Sequence, residues 1–339
     1  MNSRRIYLIT KVSPLIAALL LVGCNRSPSV LWHFKTGAGI SRPPSISGEK
    51  LIVGSEDYFL YALNLSNGNV LWKTYLGERV LVTPLVEGNR IYTGSAAGDF
   101  FGIDANNGKI LWKFHTGGML EYNPCSDEQG IYFGSYDGKL YKINRQGQLI
   151  WAFSTTMYMT SSCAFYKDLV ITSSWDYNVY GIRRDNGTVV WKFNTGEYSY
   201  GTPIVVGNSG YYVSHDHFYG FHPDTGKLFY QDKIIYAAHV MAYRNELFTP
   251  ENGLTKRSLD GKVIRNLSFT PYSVFCPAIA GSYVVMADTD NNLVGATPDT
   301  LEIKWKFHAK DLFACPGVER KGIYYIGNTD GNVYALRLP

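Results

Sequence analysis

Arg90-Ile91-Tyr92-Thr93-Gly94-Ser95, then Asp99-Phe100-Phe101-Gly102-Ile103-Asp104, then Asn106-Asn107-Gly108-Lys109-Ile110-Leu111-Trp112-Lys113-Phe114-His115-Thr116-Gly117 make one stretch, interrupted only by Ala96-Ala97-Gly98 and Ala105. Its three runs alternate bulky residues with small or polar ones, the period of half-buried strands. Asn107-Gly108 signals a tight hairpin, because both central positions of that turn need positive φ. Upstream, Val82-Thr83-Pro84-Leu85-Val86 supplies a fourth strand. Four antiparallel strands in about 40 residues make one propeller blade.

The same unit recurs along the chain. Trp32, Trp72, Trp112, Trp151 and Trp191 fall 39 or 40 residues apart; Tyr230 and Arg265 stand at the next two positions, and Trp305 closes the series. A second marker runs in phase, beginning with Gly54-Ser55-Glu56-Asp57 and ending with Gly327-Asn328-Thr329-Asp330-Gly331, and it occurs eight times. The expected fold is all-β: an eight-bladed β-propeller of four-stranded antiparallel blades over residues 30–339. The strand from Val30 to Gly37 precedes every blade, while the last unit stops after three strands at Leu338-Pro339. Pairing of the N-terminal strand with the last blade therefore closes the ring and removes an open sheet edge. Repeated tryptophans serve architecture, so all six are assigned to packing between blades. Blade six, Lys233 to Phe269, lacks the tryptophan and carries Pro250 at its marker, and is predicted to open first.

Residues 1–23 read as an export signal: Arg4, Arg5 and Lys11 precede the apolar run Leu15 to Val22, which is too short for an ordinary spanning helix. Leu21-Val22-Gly23-Cys24 resembles the lipobox of bacterial lipoproteins. That resemblance implies cleavage before Cys24, a diacylglycerol on its sulfur, and an acyl chain such as palmitate on the new amine. Asn25 implies sorting to the outer membrane, with residues 24–29 as a lipid-anchored tether facing the periplasm. Without the signal, 29 Lys and Arg face 28 Asp and Glu. So balanced a chain gives no general reason to bind nucleic acid.

The spacing Asp104-x-x-x-Gly108-x-x-x-Trp112, repeated in Asn64-x-x-x-Gly68-x-x-x-Trp72, resembles the repeat of pyrroloquinoline quinone enzymes. It differs from the WD40 repeat, since Lys, His or Ala follows each of the six repeat tryptophans. Dehydrogenases of that fold are much longer and carry a vicinal cysteine pair and a calcium-holding Glu, Asn and Asp set, neither of which is found here. Together with the lipobox, the repeat resembles the BamB family, propeller lipoproteins of the outer-membrane β-barrel assembly machinery. The resemblance implies a non-catalytic scaffold without cofactor; the alternative is a quinone- or sugar-binding propeller with redox or sensing work.

Other candidates are weaker. His215-Asp216-His217, with His222 and His239, could offer metal ligands, but loop histidines are mostly solvated, and no metal is expected. Cys125 and Cys163 read as matching positions on successive blades, as do Cys276 and Cys315; matching positions point the same way round a ring, so all four are expected as unpaired buried thiols. Chain direction places the loops leading into the inner strands at the end away from the tether. Those loops carry Tyr122, Tyr158, Tyr198, Tyr200, Tyr236, Tyr272, Phe275 and Phe313, the expected protein-binding face. The competing reading is that these rings plug the channel.

Overall fold

The computed structural model describes residues 27–198, 201–234, 239–251, 253–268 and 277–339. In the second blade, the alternating runs become Leu85–Glu87, Arg90–Gly94, Asp99–Asp104 and Ile110–His115, hydrogen-bonded in that order as an antiparallel meander. Six more sheets repeat this order. The eighth consists of Val318–Arg320, Ile323–Gly327 and Asn332–Arg337, with Ser29–Lys35 as its outer strand. The register runs from Ser29 opposite Arg337 to Lys35 opposite Asn332, so the first strand closes the last blade as the repeat count requires. Every outer strand pairs through one register shift at the same place. In the second blade Gly102 lies opposite Trp112 but Ile103 lies opposite Ile110, leaving Leu111 as the extra residue. Such a bulge sharpens the twist of the edge strand.

The core lies between blades rather than within them. Leu51, Val53 and Leu63 of the first blade pack with Trp32, Tyr325 and Val333 of the eighth. Ala280, Val285 and Trp305 of the seventh pack with Tyr324, Ile326 and Leu336 on the eighth blade's other face. With both faces covered, the third strand of the second blade is buried continuously from Phe100 to Ile103. Each outer-strand tryptophan spans such an interface. The indole N–H groups of Trp32, Trp72, Trp112, Trp151 and Trp191 donate to the carbonyls of Leu65, Ala105, Arg145, Arg184 and Pro223, at 2.9, 3.2, 3.0, 3.0 and 3.1 Å. Each acceptor sits in the hairpin before the next blade's outer strand. The glycine of that hairpin lies under the ring: Gly108 has φ +74°, and a Cβ there would stand 2.5 Å from Cε3 of Trp72. Tyr230 lies on Gly261 in the same manner, and Arg265 reaches the next hairpin with one bond to the Thr300 carbonyl, at 3.2 Å. Trp305 is the exception. Its buried N–H has no hydrogen-bond partner, because the next blade is closed by the two chain ends and has no such hairpin.

The two ends of the ring are distinguished by backbone bonds. The carbonyls of Gly39, Arg79, Met119, Tyr158 and Leu312 accept from Glu56, Ala96, Tyr136, Trp175 and Thr329, which pins leading loops to the hairpins between second and third strands. At the other end, Leu65, Ala105 and Arg184 donate to Glu49, Asn89 and Asp168. The chain enters the ring at this second end, beside Arg337.

One expectation about the cysteines is overturned. Cys125 and Cys163 form a disulfide with Cα atoms 6.0 Å apart. Cys125 lies opposite Tyr132, and its equivalent in the fourth blade, opposite Ile171, is Ala164 rather than Cys163. The two cysteines are therefore offset by one residue. Neighbouring residues of a strand point to opposite faces, so one thiol looks forward round the ring and the other back. Cys315 is free and buried, and burial pushes its thiol up to about 12. Cys276 lies outside the described residues.

Candidate partner-binding face

The end of the ring opposite the incoming chain is shaped by the turn that follows each Ser-containing marker. In the first, third and fourth blades one oxygen of Asp57, Asp137 or Asp176 accepts the backbone N–H two residues on, and the other accepts the hydroxyl of Tyr61, Tyr141 or Tyr180. Repeat aspartates so engaged hold the turn. Between these turns and the leading loops runs a strip of aromatic rings across blades three to five. Tyr136 meets Tyr158 with ring centroids 4.8 Å apart, Tyr158 meets Trp175 at 5.5 Å, Trp175 meets Tyr198 at 5.6 Å, and Tyr198 meets Tyr177 at 4.8 Å. Tyr158 is 41% exposed and Tyr198 46% exposed, so the strip is open to solvent. Tyr177 has φ +67° at a position where Gly138 of the preceding blade has φ +81°. Tyr58 holds the matching position of the first blade at φ +76°, so the turn itself imposes this left-handed conformation on a bulky residue.

Toward the axis, Arg42 crosses the mouth of the channel. Its Nε donates to the carbonyls of Leu81 and Glu121, both at 3.1 Å, and its Nη2 pairs with the Glu121 carboxylate at 2.9 Å. Glu121 also accepts from the Tyr136 hydroxyl; burial and this bond together push that hydroxyl's pKa up. One arginine thus ties the leading loops of three blades and fixes the inner margin of the aromatic strip. Arg42 also acts across the channel on His239, whose pKa burial first, and then this charge, lowers to about 4. Further along the channel, Pro44, Ile46, Pro84, Leu85, Pro124 and Val318 line a cavity of about 400 Å³.

Of the residues named from sequence, Tyr158 and Tyr198 stand exposed on the strip, and Tyr122 is half-buried beside it. Phe313 is corrected: it is fully buried between the seventh and eighth blades against Phe307 and Tyr334, and its place at a leading loop does not make it a surface residue. Tyr200, Tyr236, Tyr272, Phe275 and the lipidation residue Cys24 lie outside the described residues. Trp175, Tyr177 and Tyr136 were missed by sequence reading, although their position in the turn after the marker assigns them to the same end. His215 and His222 are exposed, His222 packing its ring on Phe229 at 5.3 Å.

Residues 22–232 match the family described as outer membrane protein assembly factor BamB. The chain belongs to the BamB family. Among solved structures, it is similar to BamB from Moraxella catarrhalis with a TM-score of 0.79 at 14% identity, over 92% of this chain and all of that one. It is equally similar to the computationally designed Ika8 protein, with a TM-score of 0.82 at 13% identity, over 91% of this chain and 99% of that one. A designed ring matches as well as a natural BamB, so these likenesses speak for the fold. No curated protein matches the chain.

Proposed function

We propose that this BamB-family chain is a non-catalytic periplasmic scaffold in outer-membrane protein assembly, anchored to the outer membrane by lipid on Cys24. The observation that carries the reading is the exposed aromatic strip from Tyr136 to Tyr198, built on rigid turns at the end of the ring opposite the incoming chain. Large aromatic rings anchor protein partners well, because they bury much area with few rotatable bonds. Cys24 is joined to the outer strand through residues 25–29, which span at most about 17 Å. The tether so holds the Asn-Gly end against the membrane and turns the strip toward the periplasm. The experiment is co-purification from detergent-solubilised membranes, comparing the parent with a variant carrying Tyr158→Ser, Trp175→Ser and Tyr198→Ser. The parent is expected to bring down components of the β-barrel assembly machinery. The folded, lipidated variant is expected to lose them by roughly tenfold or more, as for removal of interface hot spots. Full retention by the variant makes the strip simple packing; labelled palmitate that stays on a Cys24→Ala chain overturns the anchor.

A further inference from the structure

The fifth blade breaks the repeat at one point. Its turn closes with Ser214 N–H on the His217 carbonyl, whereas the equivalent Ser55 and Ser135 reach Phe59 and Lys139, one residue further. The shortened turn removes Asp216 from the duty its counterparts perform. The tyrosine that would take it, Tyr219, donates instead to the Thr195 carbonyl at 3.1 Å. Asp216 turns to His217, with 2.5 Å between Oδ1 and Nδ1. The leading loop brings a third group to the same spot: Glu197 Oε1 stands 3.3 Å from His217 Nδ1 and 3.2 Å from the Asp216 backbone nitrogen, and also accepts from the Ser214 hydroxyl. One imidazole nitrogen and two carboxylates converge, with ligand atoms within 4.8 Å of one another, and this is the group of its kind among the described residues.

We infer that Glu197, Asp216 and His217 form a binding site for a divalent transition-metal ion of the zinc class. The donor set is one nitrogen and two carboxylate oxygens, which suits zinc, and an all-oxygen set would be needed to favour magnesium or calcium. With metal–ligand bonds of about 2.0–2.1 Å, ligand atoms around a tetrahedral ion lie about 3.3 Å apart. The Glu197–His217 pair already has that separation. The Asp216–His217 pair is closer, so the ion replaces a direct hydrogen bond and moves the carboxylate outward. All three side chains are half-buried, which leaves solvent to complete the coordination. The ligands come from two separate segments, the leading loop of blade five and its second turn. An ion held by both would lock the loop that carries Tyr198, the most exposed ring of the strip.

The test is calorimetric titration of the tag-free, metal-stripped mature chain with zinc chloride, beside magnesium chloride. One equivalent of zinc is expected to bind, with Glu197→Gln and His217→Ala each weakening it at least tenfold, and Asp224→Asn, exposed in the hairpin at the other end of blade five, leaving it unchanged. A second reading avoids variants that fail to fold: in the ¹⁵N-histidine-labelled parent, zinc should shift one of the seven imidazoles. Absence of binding, equal binding of magnesium, retention of affinity in both variants, or a spread of shifts over several histidines overturns the proposal.

Discussion

At the scale of single residues, the tryptophans show how one side chain can do two jobs. Trp112 fills the gap between blades two and three, and its N–H satisfies the Arg145 carbonyl in the next hairpin at 3.0 Å. Trp305 fills the matching gap but leaves its N–H unpaired. The two should therefore respond differently to the same substitution. Trp112→Phe removes a donor and strands a carbonyl, which costs about 1–3 kcal/mol beyond the lost packing. Trp305→Phe removes only an unsatisfied donor and is expected to be milder by about that amount. Urea unfolding of both variants measures the difference; equal losses would mean that packing alone sets their worth. All of the tryptophan spacing was legible in the sequence. The orphaned donor was not, because it arises from where the chain ends meet.

At the scale of elements, Cys125–Cys163 ties the inner strand of blade three, Cys125–Asp127, to the residue just before the inner strand of blade four, Ala164–Tyr166. A covalent loop of this size constrains the unfolded chain by about 2–4 kcal/mol. Reduction is expected to lower stability by that amount without altering far-ultraviolet circular dichroism, and to add the mass of two hydrogen atoms to the intact chain. A chain already reduced when isolated from an oxidising compartment would contradict this. Blade six is the opposite case. Its outer strand Val263–Ser268 is exposed along almost its whole length and meets the next blade through Arg265 and Leu267, with no aromatic ring at the repeat position. Buried Arg257 holds the blade's interior, pairing with Glu251 at 3.0 Å and Asp232 at 3.2 Å and lying 5.0 Å from the Phe218 ring centre. Hydrogen exchange is therefore expected to be fastest in Val263–Ser268, with the third strand Gly253–Ser258 slower. Protection of the outer strand equal to that of Ile110–His115 in blade two would remove the idea.

At the scale of the whole molecule, closure rests on one strand. Ser29–Lys35 pairs along the entire length of Asn332–Arg337 and contributes Trp32 to the interface between blades eight and one. Its loss would open an edge strand and uncover part of a core at once. Removal of residues 27–35 is expected to lower the denaturation midpoint and produce concentration-dependent association, read by sedimentation. A shortened chain that stays monomeric with an unchanged midpoint would show that the remaining stacking closes the ring unaided.

The sequence by itself determined the number of blades, the four strands of each, the strand that closes the ring, and the packing role of the tryptophans. These follow from alternation and from turn chemistry such as Asn107-Gly108, which act over a few residues and repeat. Only the tertiary structure decided which side chains meet across blades. The Cys125–Cys163 pairing turned on an offset of one residue, enough to reverse a side chain's direction on a strand. Phe313 went into the core while Tyr158 and Tyr198, on comparable loops, stayed in solvent. The strip and the Glu197–Asp216–His217 group each join segments about twenty residues or more apart. Such contacts depend on how rigid blades stack around an axis, and a local pattern carries no information about that stacking.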